Sequence, residues 1–160
     1  YSSAADRGTE FHAALEKAFA LESEFDLDDW DSDQRVLAEN FENSRFASRQ
    51  PVFVEQSLEF ELGGTVVVCK LDAVFQNDSE FEIVDWKSGN SPASQEDVGK
   101  RAVQLALYRI GFARWQKLGI EKVKASFFFA SDGVEISPEV PSETELAARL
   151  AELRTALRPL

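Results

Sequence analysis

Apolar positions along the chain change period several times, and each change marks an element. Over residues 6–20, Phe11, Leu15 and Ala18 recur three and four apart, the spacing of one helical face, and Glu22 continues the row as its polar member. An acidic loop over 26–33 follows, then a second, weaker helical pattern over 34–47. Pro51 opens a strand whose alternate positions Val52, Val54, Leu58 and Phe60 are apolar, with Gln56 the exception, and Gly63-Gly64 turns the chain. A β-branched run over 65–68 continues through Leu71 to Phe75, breaks at Asn77-Asp78-Ser79 and resumes over 81–87, which predicts a three-stranded meander. A long helix is predicted over 96–118 and a buried strand over 123–129. Ser142 and Glu145 form a capping box ahead of Leu146, Leu150, Leu153 and Leu157. Helices, three strands, helix, strand, helix: this order predicts a mixed α/β domain in which an antiparallel meander is joined by a helical crossover to a further strand.

Length and composition narrow the class. A chain of 160 residues makes one domain and buries roughly two-thirds of the surface its unfolded form exposes. The single cysteine, Cys69, excludes a disulfide framework and a cysteine-ligated zinc or iron-sulfur site. No stretch reaches the roughly 20 apolar residues of a membrane span, and no basic-plus-apolar leader opens the chain, so a cytoplasmic protein with no membrane partner is expected. The absence of methionine is what a fragment excised from a longer polypeptide would show, or a chain whose start residue was processed.

A net charge of -12 argues against a nucleic-acid partner, because phosphate binding is driven by Lys and Arg. The distribution weakens that objection. Residues 6–42 hold twelve acids against three bases, whereas residues 87–124 hold eight bases (Lys87, Lys100, Arg101, Arg109, Arg114, Lys117, Lys122, Lys124) against three acids. Such asymmetry suits one basic face meeting phosphates, or equally a solvated helix with its lysines outward.

The chemistry concentrates in the meander. In Asp85-Trp86-Lys87 the period of two puts Asp85 and Lys87 on one face of the strand and Trp86 on the other. A two-residue turn at Asp78-Ser79 pairs Asn77 with Glu80 and, counting back, sets Asp72 opposite Asp85, with Cβ atoms about 5 Å apart. Two carboxylates so placed repel unless a cation lies between them, and oxygen ligands alone favour magnesium or manganese over zinc. Other residues are ambiguous singly. Gln104 and Tyr108 form an i, i+4 pair with Arg101 one turn earlier, a pattern that a half-buried core helix also shows. His12, the only histidine, follows Gly8 by one turn, where a missing side chain allows close approach of backbone or phosphate. Glu55 shares a face with Glu59 and Glu61, which polar alternation on a half-exposed strand also explains.

Together these residues resemble a known family. Arg7-Gly8-Thr9-Glu10-Phe11-His12 with Leu15-Glu16, Val54-Glu55-Gln56-Ser57-Leu58, Leu71-Asp72-Ala73-Val74-Phe75, Ile83-Val84-Asp85-Trp86-Lys87-Ser88-Gly89 and Gln104-Leu105-Ala106-Leu107-Tyr108-Arg109 fall in the order and spacing of the RecB-like, PD-(D/E)XK nucleases, over roughly residues 7–130. The chain looks closest to the C-terminal nuclease of bacterial UvrD-like helicase-nucleases of the AddAB and AdnAB type. The resemblance implies a restriction-endonuclease-like αβββαβ core, a mixed central sheet flanked by helices. It implies a metal site of His12, Asp72, Asp85 and the Trp86 carbonyl. Glu55 would assist the metal or its waters, Lys87 would serve catalysis, and Gln104 and Tyr108 would support the site or touch DNA.

The resemblance further implies a single nuclease domain over residues 1–160 that hydrolyses DNA with Mg2+, Mn2+ substituting. It would act as an exonuclease on single-stranded ends, served by a helicase motor N-terminal in the same polypeptide and a second helicase-nuclease subunit, in double-strand break processing. Two departures stand out. Where many relatives have Gly-Arg before the Asp of the second strand, this chain has Cys69-Lys70, which keeps the charge but loses the forked donor. Relatives with an iron-sulfur cluster use four cysteines, so one cysteine implies a cluster-free member. Two other readings differ in class. One is an inactive nuclease fold that binds DNA or scaffolds a helicase, since fold does not guarantee activity. The other is an acidic interaction module using the segment from Glu22 to Asp33.

Overall fold

A computed structural model describes residues 4–21, 25–26 and 28–156. Four helices, α1 (Ala4–Leu21), α2 (Ser32–Glu42), α3 (Gln95–Gln116) and α4 (Glu143–Ala156), enclose five strands, β1 (Phe53–Leu62), β2 (Thr65–Asn77), β3 (Glu80–Lys87), β4 (Val123–Phe129) and β5 (Val134–Ile136). The sheet runs β1-β2-β3-β4-β5. All neighbours are antiparallel except β3 and β4, whose parallel pairing requires the α3 crossover. The expected αβββαβ core with its mixed sheet is present, and β5 is a three-residue edge strand that the apolar pattern, too short there, does not signal. No helix among the described residues is long and apolar enough to cross a membrane.

Two cores sandwich the sheet. On one face Phe11 and Leu15 of α1 and Leu37 and Phe41 of α2 pack on Phe75, Val84, Trp86 and Phe128. On the other, Leu105, Tyr108 and Phe112 of α3 cover Leu71, Val74, Ile83, Phe127 and Phe129. Helix α4 packs Leu146 against Leu62, Ala106 and Ile110. The predicted stripe along α4 runs past that contact: Leu153 is 55% exposed, and Leu157 lies outside the described residues.

Local chemistry sets the boundaries. Helix α2 begins at Ser32 and ends at Glu42, short of the predicted 47, because Asp31 and Gln34 form a full capping box at its start and Asn43 caps its end. The turns after it carry Arg45, which grips both carboxylate oxygens of Glu82 at 2.9 and 2.6 Å and also Glu135 at 2.8 Å, pinning this segment to β3 and β5. Burial pushes the Glu82 carboxyl up, but the Arg45 hydrogen bonds and charge outweigh it and hold the group below its usual range. Helix α3 stops at Lys117, whose left-handed backbone caps it. Gly63 and Gly64 both take positive φ in the β1–β2 turn, as a two-residue hairpin turn demands, and a side chain on Gly63 would run into the Ala147 carbonyl of α4.

The strands depart from simple alternation at one place. Leu71 and Val74 share the core under α3 although residues three apart on a regular strand face opposite ways, and so do Phe53 and Leu58, five apart. The switch falls at Glu55, which has φ 52°, and at Asp72 across from it; β1–β2 pairing passes from Val54↔Ala73 to Gln56↔Leu71 and skips them. The regular alternation expected of β1 is therefore wrong before Glu55: Phe53 faces the core and Val52 is 46% exposed.

This geometry gives an order of stabilities opposite to that of an ordinary strand. Glycine adopts positive φ without the penalty a Cβ brings, so Glu55→Gly should be more stable than Glu55→Ala by about 1 kcal/mol, measured by urea unfolding. Alanine more stable than glycine would mean that position 55 is regular strand.

Candidate active site

The last residues of β3 build the site from its back. The Trp86 indole is ringed by Phe19, Phe41, Phe46, Phe75 and Phe128, with centroids 5.4 to 6.3 Å away. With Trp86 held in that core, alternation sends Asp85 and Lys87 to the α3 face. The β2–β3 ladder runs from Asn77↔Glu80 to Ala73↔Val84, the register that sets Asp72 opposite Asp85. There the Asp72 carboxylate itself accepts the Trp86 N–H at 2.8 Å.

Asp85 is 4% exposed, and its Oδ2 is buried with no hydrogen-bond partner. Lys87 Nζ lies 2.9 Å from that oxygen, an ion pair that offsets its charge. Burial, then the negative charge of Asp72, pushes the Asp85 carboxyl up to about 6, with Lys87 opposing. Lys87 is itself held by the Gln104 Oε1 at 3.2 Å, and Gln104 donates its amide N–H to the Tyr108 hydroxyl at 2.6 Å. Burial and the charge of Asp85 raise the Tyr108 phenol, so it stays neutral.

Helix α1 delivers His12 to the other side of the same backbone. A side chain on Gly8 would meet the Ser88 hydroxyl at 2.7 Å, so the missing side chain permits the close approach of α1 to the segment after β3. His12 Nδ1 then lies 2.9 Å from the Gly8 carbonyl and Nε2 2.7 Å from the Trp86 carbonyl. Carbonyl oxygens only accept, so both ring nitrogens carry hydrogen and the ring is an imidazolium. Asp72, 3.5 Å from Nε2, is the largest cause of a pKa pushed up to about 9.

Asp72, Asp85, Lys87, His12, the Trp86 carbonyl, Gln104 and Tyr108 are thus brought together. Glu55 lies across from Asp72, and its carboxylate is taken up by Lys70 at 2.7 Å. Cys69 packs under α3, where burial pushes its thiol up, a structural role. Among the described residues no three His, Cys, Asp or Glu side chains form a ready cage for a metal. The donors that do converge, two carboxylates and a carbonyl, are hard oxygens suited to a divalent cation of the magnesium type. Of the bases over 87–124, Arg109 binds the Val123 and Ile120 carbonyls and Arg114 the Glu61 carbonyl and the Glu143 carboxylate, whereas Lys100 and Lys124 make only exposed pairs with Glu96 and Glu80, and Arg101 lies over the Phe129 ring.

Two contributors escape a reading of the sequence. The left-handed turn at Glu55 carries no glycine or asparagine to announce it. Asp132, which accepts both the N–H and the hydroxyl of Ser91 at 3.0 and 2.7 Å and so anchors the segment after Lys87, is announced only by a turn-like Asp-Gly pair.

No curated protein matches the chain in sequence. Among solved structures it is similar to a protein from Eubacterium rectale provisionally described as an exonuclease, with TM-score 0.59, 13% identity and 98% of this chain covered. It is also similar to the protein SSO0001, with TM-score 0.50, 19% identity and 99% covered. The chain spans 66% and 63% of the lengths of those two proteins, and at such identities the likeness is one of fold. A model of the PD-(D/E)XK nuclease superfamily, whose members generally work with divalent metal ions, matches residues 1–160. That match spans the whole length and the fold is consistent with it, so the chain belongs to the PD-(D/E)XK nuclease superfamily.

Proposed function

We propose that this domain hydrolyses DNA phosphodiester bonds with Mg2+ or Mn2+. We propose further that it is the nuclease module of a helicase-nuclease whose motor, N-terminal in the same polypeptide, and second subunit feed it single-stranded ends during double-strand break repair, with exonucleolytic cutting. The observation that carries the reading is the buried Asp85 carboxylate held between the like charge of Asp72 and the ammonium of Lys87.

Asp72, Asp85 and the Trp86 carbonyl would hold the ion, with His12 joining through Nε2 once its proton is gone. A bound divalent ion supplies positive charge to the phosphate and acidity to water. Lys87 orients the attacking water and stabilises the charge that gathers on the phosphate as the 3′ oxygen leaves. Gln104 and Tyr108 keep the ammonium at its post. Glu55 assists only by leaving Lys70. Absence of an iron-sulfur cluster is part of the proposal.

Asp85→Ala and Lys87→Ala should each lower cleavage of a labelled oligonucleotide at least a hundredfold, and only the former should also remove the metal-induced rise in melting temperature. Retention of wild-type cleavage by either variant would overturn the assignment.

Stability in chelator should depend on pH in a set direction. The folded Asp85 carboxyl sits near 6, above its unfolded value, so the stability its proton contributes is present below about pH 4 and lost as pH rises towards 6. His12, near 9 when folded, contributes stability that is full below about 6.5 and lost as pH rises through 9. Thermal melts should fall across both windows in chelator and less so in Mg2+. Asp85→Asn should melt higher than wild type in chelator at pH 7 and gain nothing from the metal, whereas equal melting temperatures in chelator would contradict the strain assigned to Asp85.

A further inference from the structure

A cavity of about 390 Å³ opens beside the site, bounded by Arg7, Asp33, Val36, Ser88, Asn90 and Ser131. Its position follows from the topology. Ser88 and Ser131 come just after the C-terminal ends of the parallel strands β3 and β4, where open α/β sheets present a crevice, and Arg7 precedes Gly8, the residue that brings α1 against Ser88. The rim is braced. The Asn40 amide donates to the Ala130 and Ser131 carbonyls at 2.7 and 3.1 Å, and Asp132 holds Ser91. Its volume lies within the range of small-molecule sites, and its lining is mixed: one guanidinium paired with one carboxylate, two hydroxyls and an amide, with the exposed apolar Val36 beside them.

We propose that this cavity is a nucleotide subsite. It would seat the nucleotide next to the scissile phosphate, with Arg7 and the Ser88 and Ser131 hydroxyls meeting a phosphate and Val36 the sugar or base. The inference rests on the reading of the domain as a DNA nuclease and names a strand contact on the α1–α2 side of the sheet. A planar guanidinium suits a phosphate, and Asp33, 3.9 Å from Arg7 with its carboxylate largely in solvent, is one of the groups with which a phosphate would compete.

The pairing of Arg7 with Asp33 gives a test of two opposite signs. Binding of a fluorescein-labelled 12-nucleotide single strand is measured by anisotropy in chelator, where no cutting occurs, at several salt concentrations, and cleavage is measured separately in Mn2+. Arg7→Ala should weaken binding about tenfold, reduce the slope of log Kd against log salt by about one, and raise KM more than it lowers kcat. Asp33→Asn should tighten binding several-fold. Asp78→Asn, the same change of charge at the β2–β3 turn, should leave binding unchanged. If wild type binds and cuts but the Arg7 and Asp33 variants match it, the subsite is wrong and the nuclease reading stands. If Asp33→Asn tightens binding no more than Asp78→Asn, the effect is bulk charge and the subsite is again wrong. A wild type that neither binds nor cuts the strand in Mg2+ or Mn2+ overturns both.

Discussion

The packing of the Trp86 indole is the constraint on which the site depends. Five phenylalanines drawn from α1, α2, the turn after α2, β2 and β4 enclose one side chain, and burial of so large an aromatic surface ties the helical layer to the end of β3. A strand has only two faces, so placing Trp86 decides where Asp85 and Lys87 go. It also leaves the Trp86 backbone at the end of the ladder, where its N–H goes to Asp72 and its carbonyl to His12. The chemistry thus sits on the polar side and the backbone of a residue whose own side chain is hydrophobic anchor.

The second constraint is the break in the sheet. A left-handed residue inside a strand costs roughly 1–2 kcal/mol, and the pairing it interrupts costs more, yet the switch at Glu55 and Asp72 is what frees the Asp72 carboxylate from a regular ladder. Strain of this kind persists only where the surrounding packing over-determines it. Here Val74 and Ile83 on one side of the switch and Leu58 and Leu71 on the other are all buried in one core.

Charge balance explains how so crowded a site stands in the absence of metal. Asp72 and Asp85 are met by the His12 imidazolium and the Lys87 ammonium, two acids against two bases. The balance is uneasy, because burial and the charge of Asp72 still raise the Asp85 carboxyl against the pull of Lys87. An entering divalent ion would relieve the two carboxylates and take over the work of the imidazolium. The surplus of acid elsewhere in the chain, -12 overall, makes intrinsic affinity for DNA weak, so that delivery of the strand by a motor and a few local contacts would matter more than bulk attraction.

The elements of the fold were legible from their apolar patterns: the crossover helix repeats at helical spacing, the meander is β-branched and broken by turn residues, and β4 is an apolar run buried on both faces. The turn at Asp78-Ser79 was enough to set Asp72 against Asp85, since a two-residue hairpin leaves no freedom of register. Gln104 and Tyr108, one helical turn apart, were bound to share a side, and their link to Lys87 follows from the crossover. Local pattern was therefore sufficient for the set of elements, the pairing of the carboxylates and the family. Packing in three dimensions was needed for the left-handed backbone at Glu55 with the switch of faces around it, the capture of Glu55 by Lys70, and the cavity between Arg7 and Ser131. Each of these depends on contacts between residues far apart in the chain, which no local period records.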